Sequence, residues 1–85
     1  MIQVDRIIAT VVLPNQRTVD MELPAFMPIG ELSEKILETL SVLYPNLWSS
    51  TNKIRLRFFG QSLGEDTTLA ENGIWDGAFL EVERS

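Results

Sequence analysis

The stretch Ile29 to Leu43, IGELSEKILETLSVL, predicts a helix, and the segments on both sides of it predict strands and turns. Its apolar residues recur in steps of three and four, which places one stripe on one face: Ile29, Leu32, Ile36, Leu40 and Leu43. Pro28 suits a first helical turn, and Pro45 ends the helix because the residue before a proline is pushed out of helical geometry. An amphipathic helix of about four turns is marginal alone. We therefore expect it to pack on a sheet.

The beginning of this helix departs from the usual pattern. No Ser, Thr, Asp or Asn stands directly before Ile29 to cap the helix with its side chain. Gly30 follows, and a glycine costs about 1 kcal/mol relative to alanine in a helix interior. The helix prediction is therefore weakest at its first turn.

Apolar and β-branched residues predict strands around the helix. Residues 7–13 are apolar with little alternation, which favours a strand that is central or covered on both faces. Residues 18–23, 53–59 and 78–83 alternate apolar and polar side chains, as strands with one solvated face do. A further strand centred on Leu63 is expected to be very short, because a glycine stands on each side of it.

Turn residues separate these segments. Residues 14–17 (PNQR) join the first two strands, and Asn15 is expected to be able to enter the left-handed region. Residues 68–73 (TLAENG) predict one short helical turn, with a threonine as its cap and asparagine and glycine at its end. The order hairpin, helix, strand, short strand, helical turn, strand predicts an α+β fold. In this fold a mixed sheet of four to five strands packs on one central helix.

Length and composition limit the chemistry. The 85 residues predict a single domain over residues 1–85, with a core at about 7–83. The sequence has no Cys and no His, which removes disulfides, thiolate nucleophiles, imidazole catalysis and the common zinc ligand sets. The carboxylates lie on different elements or on exposed segments. We therefore expect no catalytic site, no enzyme activity, no cofactor and no metal.

Charge and hydropathy point to a protein partner. The net charge of −5 disfavours nucleic acid, since phosphate backbones attract basic surfaces. No apolar run approaches the roughly 18 residues of a membrane span, and residues 1–6 (MIQVDR) lack a targeting pattern. We expect a cytoplasmic protein that is not inserted in a membrane and that binds other proteins.

Two sets of motifs carry a family resemblance. Residues 59–63 (FGQSL), 67–74 (TTLAENGI) and 79–82 (FLEV) resemble the second half of ubiquitin, which implies the β-grasp (ubiquitin-like) fold. Within that superfamily, residues 23–29 (LPAFMPI) and 73–77 (GIWDG) resemble the YukD/EsaB family, although Ala78 stands where that family often has Asp. These are bacterial ubiquitin-like accessory proteins of type VII, or WXG100, secretion systems.

The resemblance implies a function without catalysis and without conjugation to targets. The expected role is a non-catalytic adaptor or regulator of the secretion machine, which binds its ATPase or a membrane component. The alternative is a stand-alone ubiquitin-like interaction domain of an unrelated complex. Ubiquitin and related sulfur carriers need a free Gly-Gly end, whereas this sequence ends in VERS, so unless it is truncated we expect no conjugation to targets.

The strand order of a β-grasp fold predicts which side chains share the sheet face opposite the helix. The candidate protein-binding residues on this face are Lys53, Arg55, Arg57, Phe59, Phe79, Ile8 and Val12. In ubiquitin the corresponding face carries an exposed aliphatic patch, and its central isoleucine falls at Arg57. The resemblance therefore implies that proteins that recognise ubiquitin do not recognise this chain.

Alternatives stay open for several of these residues. Arg55 and Arg57 either pair across strands with Glu81 and Glu83, or form a docking face in which the two phenylalanines anchor a partner. Ile8 and Val12 are either ordinary exposed β-branched residues or a surface for self-association or partner binding. The two tryptophans, Trp48 and Trp75, are each expected to cover an edge of the core rather than to anchor a partner.

Overall fold

The computed structural model describes residues 5–49 and 51–85. The first four residues, which belong to the segment without a targeting pattern, and Ser50 of the predicted loop after the helix lie outside the described residues. The described residues form five strands and one helix in the order β1 (Arg6–Val12), β2 (Thr18–Pro24), α1 (Ile29–Leu43), β3 (Ile54–Phe58), β4 (Gln61–Ser62) and β5 (Phe79–Arg84).

The five strands form one mixed sheet in the order β2-β1-β5-β3-β4. The central pair, β1 and β5, is parallel, and the other neighbouring strands are antiparallel. Helix α1 packs on one face of this sheet, where both apolar surfaces are removed from water. The predicted α+β fold, a mixed sheet on a central helix, is confirmed.

Helix α1 has the predicted limits, and its first turn is held by another part of the chain. No side chain of the described residues caps it. Instead, Ile29 donates its N–H to the carbonyl of Thr67 at 2.8 Å, and Gly30 donates to the carbonyl of Glu65 at 3.0 Å. Two of the amides that a helix leaves without partners at its start are thus satisfied by the loop before residue 68.

The buried stripe of α1 differs from the predicted one at its end. Leu37 is buried beside the predicted Ile36 and Leu40, whereas Leu43 is half exposed. The reason is geometric: at 3.6 residues per turn the side facing the sheet is wider than a single row of residues. Toward its end the helix turns Leu43 away from the core.

The turn between β1 and β2 corrects one backbone expectation. Gln16, and not Asn15, takes the left-handed conformation, with φ of 68°. Asn15 instead accepts the N–H of Arg17 on its side-chain oxygen at 3.1 Å. The side chain of Asn15 thus closes the turn locally, and the next residue reverses the chain.

The segment from residue 68 to 74 is a hydrogen-bonded turn rather than a helix. Thr68 caps it, since its Oγ1 accepts the N–H of Glu71 at 3.1 Å. At the end, Ile74 donates to the carbonyl of Leu69 at 2.9 Å and Gly73 donates to Ala70 at 3.0 Å. These two bonds form a Schellman motif, which needs the positive φ that Gly73 supplies.

The other differences are small. β4 lies just before Leu63 rather than around it, and the remaining strands match their predicted limits within one residue. Trp48 is buried as expected, with the guanidinium of Arg84 4.3 Å from its ring centre. Trp75 covers less of the core, because about half of its surface is exposed. Among the described residues, no helix has the length and apolar character that crossing a membrane requires.

Candidate protein-binding face

The strands direct alternate side chains to opposite sides of the sheet. In β1, Ile7, Ala9 and Val11 are buried against α1, so Ile8 and Val12 point to the other side. In β5, Leu80 and Val82 are buried, so Phe79 points away from the helix. The predicted strand residues therefore share the side of the sheet opposite α1, which we call the outer face: Ile8, Val12, Arg55, Arg57 and Phe79.

The centre of the outer face is apolar. Ile8 is 57% exposed and Phe79 is 64% exposed, whereas Val12 is half-buried. The parallel register puts Thr10 beside Phe79 and Val12 beside Glu81. Ile8, Thr10, Val12 and Phe79 therefore form a continuous strip along the β1–β5 pair.

Phe59 stands at the tip of the β3–β4 hairpin. Phe58 pairs with Gln61, so Phe59 and Gly60 form a two-residue turn, and both have positive φ, 50° and 77°. These values define a type I′ turn, whose first position favours Asn, Asp or Gly. The side chain of Phe59 is 86% exposed, and its ring lies edge-on to that of Phe58 at 4.5 Å. Continuing the β3–β5 register by two residues puts Phe59 opposite Phe79.

Arg57 is fixed in place by hydrogen bonds. It donates from Nη1 to Oε2 of Glu83 at 2.7 Å and from Nη2 to the carbonyl of Gly60. The hydrogen bond and charge of Glu83 raise the pKa of Arg57, so the guanidinium stays charged. Its Nε is buried without a hydrogen-bond partner. The predicted cross-strand pairing is thus present for Arg57, and this arginine also supports the hairpin tip.

Arg55 differs from Arg57. It lies directly opposite Glu83 and is exposed, yet among the described residues it forms no ion pair. The carboxylate that it faces is already bonded to Arg57. Lys53 is exposed just before β3, where its carbonyl accepts the N–H of Ser85. Arg55 and Lys53 therefore supply positive charge at the β3 side of the apolar strip.

The β2 side of the outer face is acidic. Asp20 accepts a hydrogen bond from Oγ1 of Thr10 at 2.8 Å, and Glu22 forms an ion pair with Arg6 at 3.5 Å. Both acids lie on β2, at the edge of the sheet. The apolar strip thus runs between an acidic strand and a strand that carries three basic residues on or next to it.

Sequence reasoning missed the role of Asp76. Its Oδ1 accepts the N–H of Ile8 at 2.8 Å, and Gly77 donates its N–H to the carbonyl of Ile8 at 2.9 Å. These bonds extend the β1–β5 pairing and hold the apolar strip in register. An Asp-Gly pair directly before a strand signals a turn, but only the fold shows which strand the turn contacts.

The described part of the chain shows no cluster of metal-binding side chains on this face. Within residues 5–49 and 51–85, no group of three or more acidic side chains converges on a position that could hold an ion. The same residues contain no buried polar or charged residue. What the arrangement offers chemically is an apolar strip between charges of opposite sign.

Residues 6–82 match the family model of the WXG100 protein secretion system (Wss) protein YukD. The chain belongs to the YukD family. The segment from residue 23 to 29, which carried the resemblance, connects β2 to α1 in this YukD-family fold. There Ala25 is buried, donates its N–H to Asp5 and accepts the N–H of Ala70. Just before the helix, this segment therefore links the residue that precedes β1 to the turn of residues 68–74.

Solved structures with the same fold include components of type VII secretion. The chain matches the EccD5 ubiquitin-like domain from Mycobacterium xenopi with a TM-score of 0.78 and 16% identity, covering 94% of each chain. It matches the ubiquitin-like domain of the Mycobacterium tuberculosis type VII secretion system protein EccD1 with a TM-score of 0.73 and 22% identity, covering 91% of this chain and 96% of that one. The YukD-family chain thus has the β-grasp fold of ubiquitin-like domains.

A third match is part of a larger protein. In the MycP5-free ESX-5 inner membrane complex, one chain matches with a TM-score of 0.80 and 16% identity over 95% of this chain. The chain spans 21% of the length of that protein. No curated protein matches the chain.

Proposed function

We propose that this chain is a non-catalytic adaptor or regulator of a bacterial type VII secretion system that acts in the cytoplasm by binding protein through its outer face. The observation that carries the proposal is the YukD family match over residues 6–82. The likeness to ubiquitin-like domains of secretion proteins supports it at the level of the fold. The partner that we propose is the secretion ATPase or a membrane component of the system.

The outer face presents exposed apolar side chains that can bind a partner. The buried stripe of α1 is used in the core, whereas Ile8 and Phe79 are more than half exposed on the outer face. A central apolar strip with a charged rim is the usual anatomy of a protein interface. In this proposal Phe59 and Phe79 anchor the partner, and Arg55 and Lys53 orient it.

We also propose that the chain has no enzymatic activity. The sequence contains no Cys or His, so the usual nucleophile and base pairs cannot form. Arg57 has no acid–base role at neutral pH, because the hydrogen bond and charge of Glu83 raise its pKa further.

The test is crosslinking and co-purification from cells in which the secretion machine is assembled. The informative variant is Arg55→Glu, because Arg55 is exposed and forms no ion pair in the described part of the chain. Charge reversal opposite a complementary surface should lower recovery of the ATPase or membrane component by about tenfold. Arg57→Glu is less informative, since it also breaks the bonds of Arg57 to Glu83 and Gly60.

Arg17→Glu is the matched control. It makes the same charge change in the exposed turn between β1 and β2, outside the two strands that carry the apolar strip. Recovery with Arg17→Glu should equal that of the unmodified chain. If the unmodified chain recovers no secretion component under these conditions, or recovers only an unrelated complex, the proposed function is wrong. Equal losses with both variants would reject the outer face as the binding surface.

A further inference from the structure

Within residues 5–49 and 51–85, the sheet has one long free edge, formed by β2. In the adjacent strand β1, the backbone groups of alternate residues point toward β5 and toward β2. Thr10 donates its N–H to the carbonyl of Ala78 at 2.8 Å, and the carbonyl of Ile8 accepts the N–H of Gly77 at 2.9 Å. Both residues therefore direct their backbone groups toward β5, and the residues between them direct theirs toward β2. The other edge strand, β4, has only two residues.

The alternation fixes which backbone groups of β2 are free. Ala9 of β1 stands opposite Met21, and this pair exchanges the backbone hydrogen bonds. The residues on either side, Asp20 and Glu22, consequently direct their N–H and C=O groups away from the sheet. An extended chain that lies along β2 finds two donors and two acceptors at these positions.

A groove runs beside this free edge. It has a volume of about 580 Å³ and lies between β2 and α1. Val42, which is 76% exposed, and the half-exposed Leu43 line its helix side. The volume is within the range of about 300 to 1,000 Å³ that binding pockets have. The exposure of Leu43, unexpected for the helix stripe, is explained if this residue faces a ligand.

A larger hollow, of about 920 Å³, lies at the start of α1 and is a weaker candidate. Its lining includes Glu31, Glu34, Glu65 and Asp66, and among the described residues the one strand residue that lines it is Ile54, at the start of β3. An acidic cluster alone identifies no ligand. The groove beside β2 differs because apolar side chains and free backbone groups occur together there.

The acidic side chains of β2 indicate which kind of chain can occupy the groove. The side chains of Asp20 and Glu22 lie on the outer face. In a strand added to β2, the residues directly opposite Asp20 and Glu22 would also point to the outer face, close to these carboxylates. A second copy of this chain, paired through β2 and centred on Met21, would bring these acids against the same acids, which is destabilising. A strand with Lys or Arg at these positions would instead find opposite charges, and Glu22 would share its carboxylate between that residue and Arg6, with which it forms an ion pair at 3.5 Å.

We propose that the groove between β2 and α1 binds an extended segment of another protein in which apolar and basic residues alternate. The segment adds a strand to β2 through the backbone groups of Asp20 and Glu22. Its basic side chains face these carboxylates on the outer face, and its apolar side chains enter the groove against Val42 and Leu43. This surface is separate from the apolar strip of the outer face and does not depend on the secretion role.

The probe is the synthetic peptide KVKVKVK, acetylated and amidated, with EVEVEVE as its counterpart of opposite charge. The first peptide should bind at least about tenfold more tightly than the second. On binding, the amides of Asp20 and Glu22 should become protected from hydrogen exchange, because they gain hydrogen bonds. Val42→Asp should lower the affinity by about tenfold or more, because it places a charge where the peptide inserts an apolar side chain.

Leu47→Asp is the matched control, because Leu47 is likewise an exposed apolar residue but does not line the groove. It adds the same negative charge and should leave affinity for the basic peptide within about twofold. Replacing Asp20 and Glu22 together with Lys should reverse the preference between the peptides. Loss of folding cannot produce such a reversal. Arg55→Glu should leave peptide binding unchanged, which separates this test from that of the outer face.

Several results would overturn the proposal. If Val42→Asp binds the basic peptide as well as Leu47→Asp does, the attraction is a nonspecific effect of the net negative charge. Binding without new protection of the amides of Asp20 and Glu22 would exclude strand addition. A dimer in sedimentation equilibrium that Val42→Asp dissociates would show that a second copy occupies the groove.

Discussion

At the residue scale, Phe59 is the clearest conflict between local preference and structure. A left-handed conformation costs an ordinary residue about 1 to 2 kcal/mol, and the first position of a type I′ turn favours Asn, Asp or Gly. The edge-on contact with Phe58 offsets part of this free-energy cost. Because the ring is almost wholly exposed, its burial within the chain offsets little of the remaining cost. Backbone strain of this kind, in an exposed aromatic residue, supports the hypothesis that Phe59 binds a partner.

The substitution Phe59→Asn should separate binding from folding. Asn accepts the left-handed conformation, so the free energy of unfolding should stay the same or rise by up to about 1 kcal/mol. Removing an aromatic anchor should lower recovery of the partner by about tenfold or more. Denaturant unfolding and crosslinked co-purification measure the two effects.

Gln16→Gly is the control for this prediction. Gln16 also has positive φ and is exposed, but it lies in the β1–β2 turn. Glycine there should raise the free energy of unfolding by up to about 1 kcal/mol without changing partner recovery. If Phe59→Asn retained full recovery, Phe59 would not be an anchor.

At the element scale, helix α1 is held at its start by tertiary contacts. Local sequence predicted its limits, because periodicity and the two prolines are local signals. It could not predict which groups satisfy the first amides, since the carbonyls of Glu65 and Thr67 lie more than thirty residues away. The same limit explains Asp76, whose partner Ile8 is 68 residues distant in the chain.

Gly30→Ala should stabilise the protein. A Cβ at this position would lie 3.6 Å from both Cβ and the carbonyl oxygen of Glu65, which is ordinary contact. Alanine restricts the unfolded chain and favours the helix, so the free energy of unfolding should rise by about 0.4 to 1 kcal/mol. Thermal or denaturant unfolding measures the change. A loss of stability would mean that the bond from Gly30 to Glu65 tolerates no displacement of the helix.

At the scale of the whole molecule, sequence predicted the outer face better than the groove. Alternation in β1, β3 and β5 assigns side chains to faces with no knowledge of distant contacts, so residues such as Ile8 and Arg55 could be placed. The groove depends on how far α1 lies from β2, which only packing determines. Leu43 shows the difference, because periodicity assigned it to the core and the structure leaves it half exposed.

The apolar strip also bears on self-association. We expect the chain to remain a monomer at micromolar concentration, because a net charge of −5 keeps copies apart and Val12 is already half-buried. Replacing Ile8 and Val12 together with Thr should therefore leave the sedimentation coefficient unchanged. A fall from the value of a dimer to that of a monomer would show that the strip joins two copies.

The position of β5 has a consequence for how the protein is made. This strand lies between β1 and β3 in the sheet. The β1–β2 and β3–β4 hairpins, which precede it in the chain, therefore have no strand pairing with each other until β5 has been synthesised. During synthesis the sheet therefore remains in two halves until residues 79–84 have left the ribosome. Pairing over such sequence separations is slow compared with local folding. Until then, the newly made chain exposes apolar surfaces that chaperones recognise.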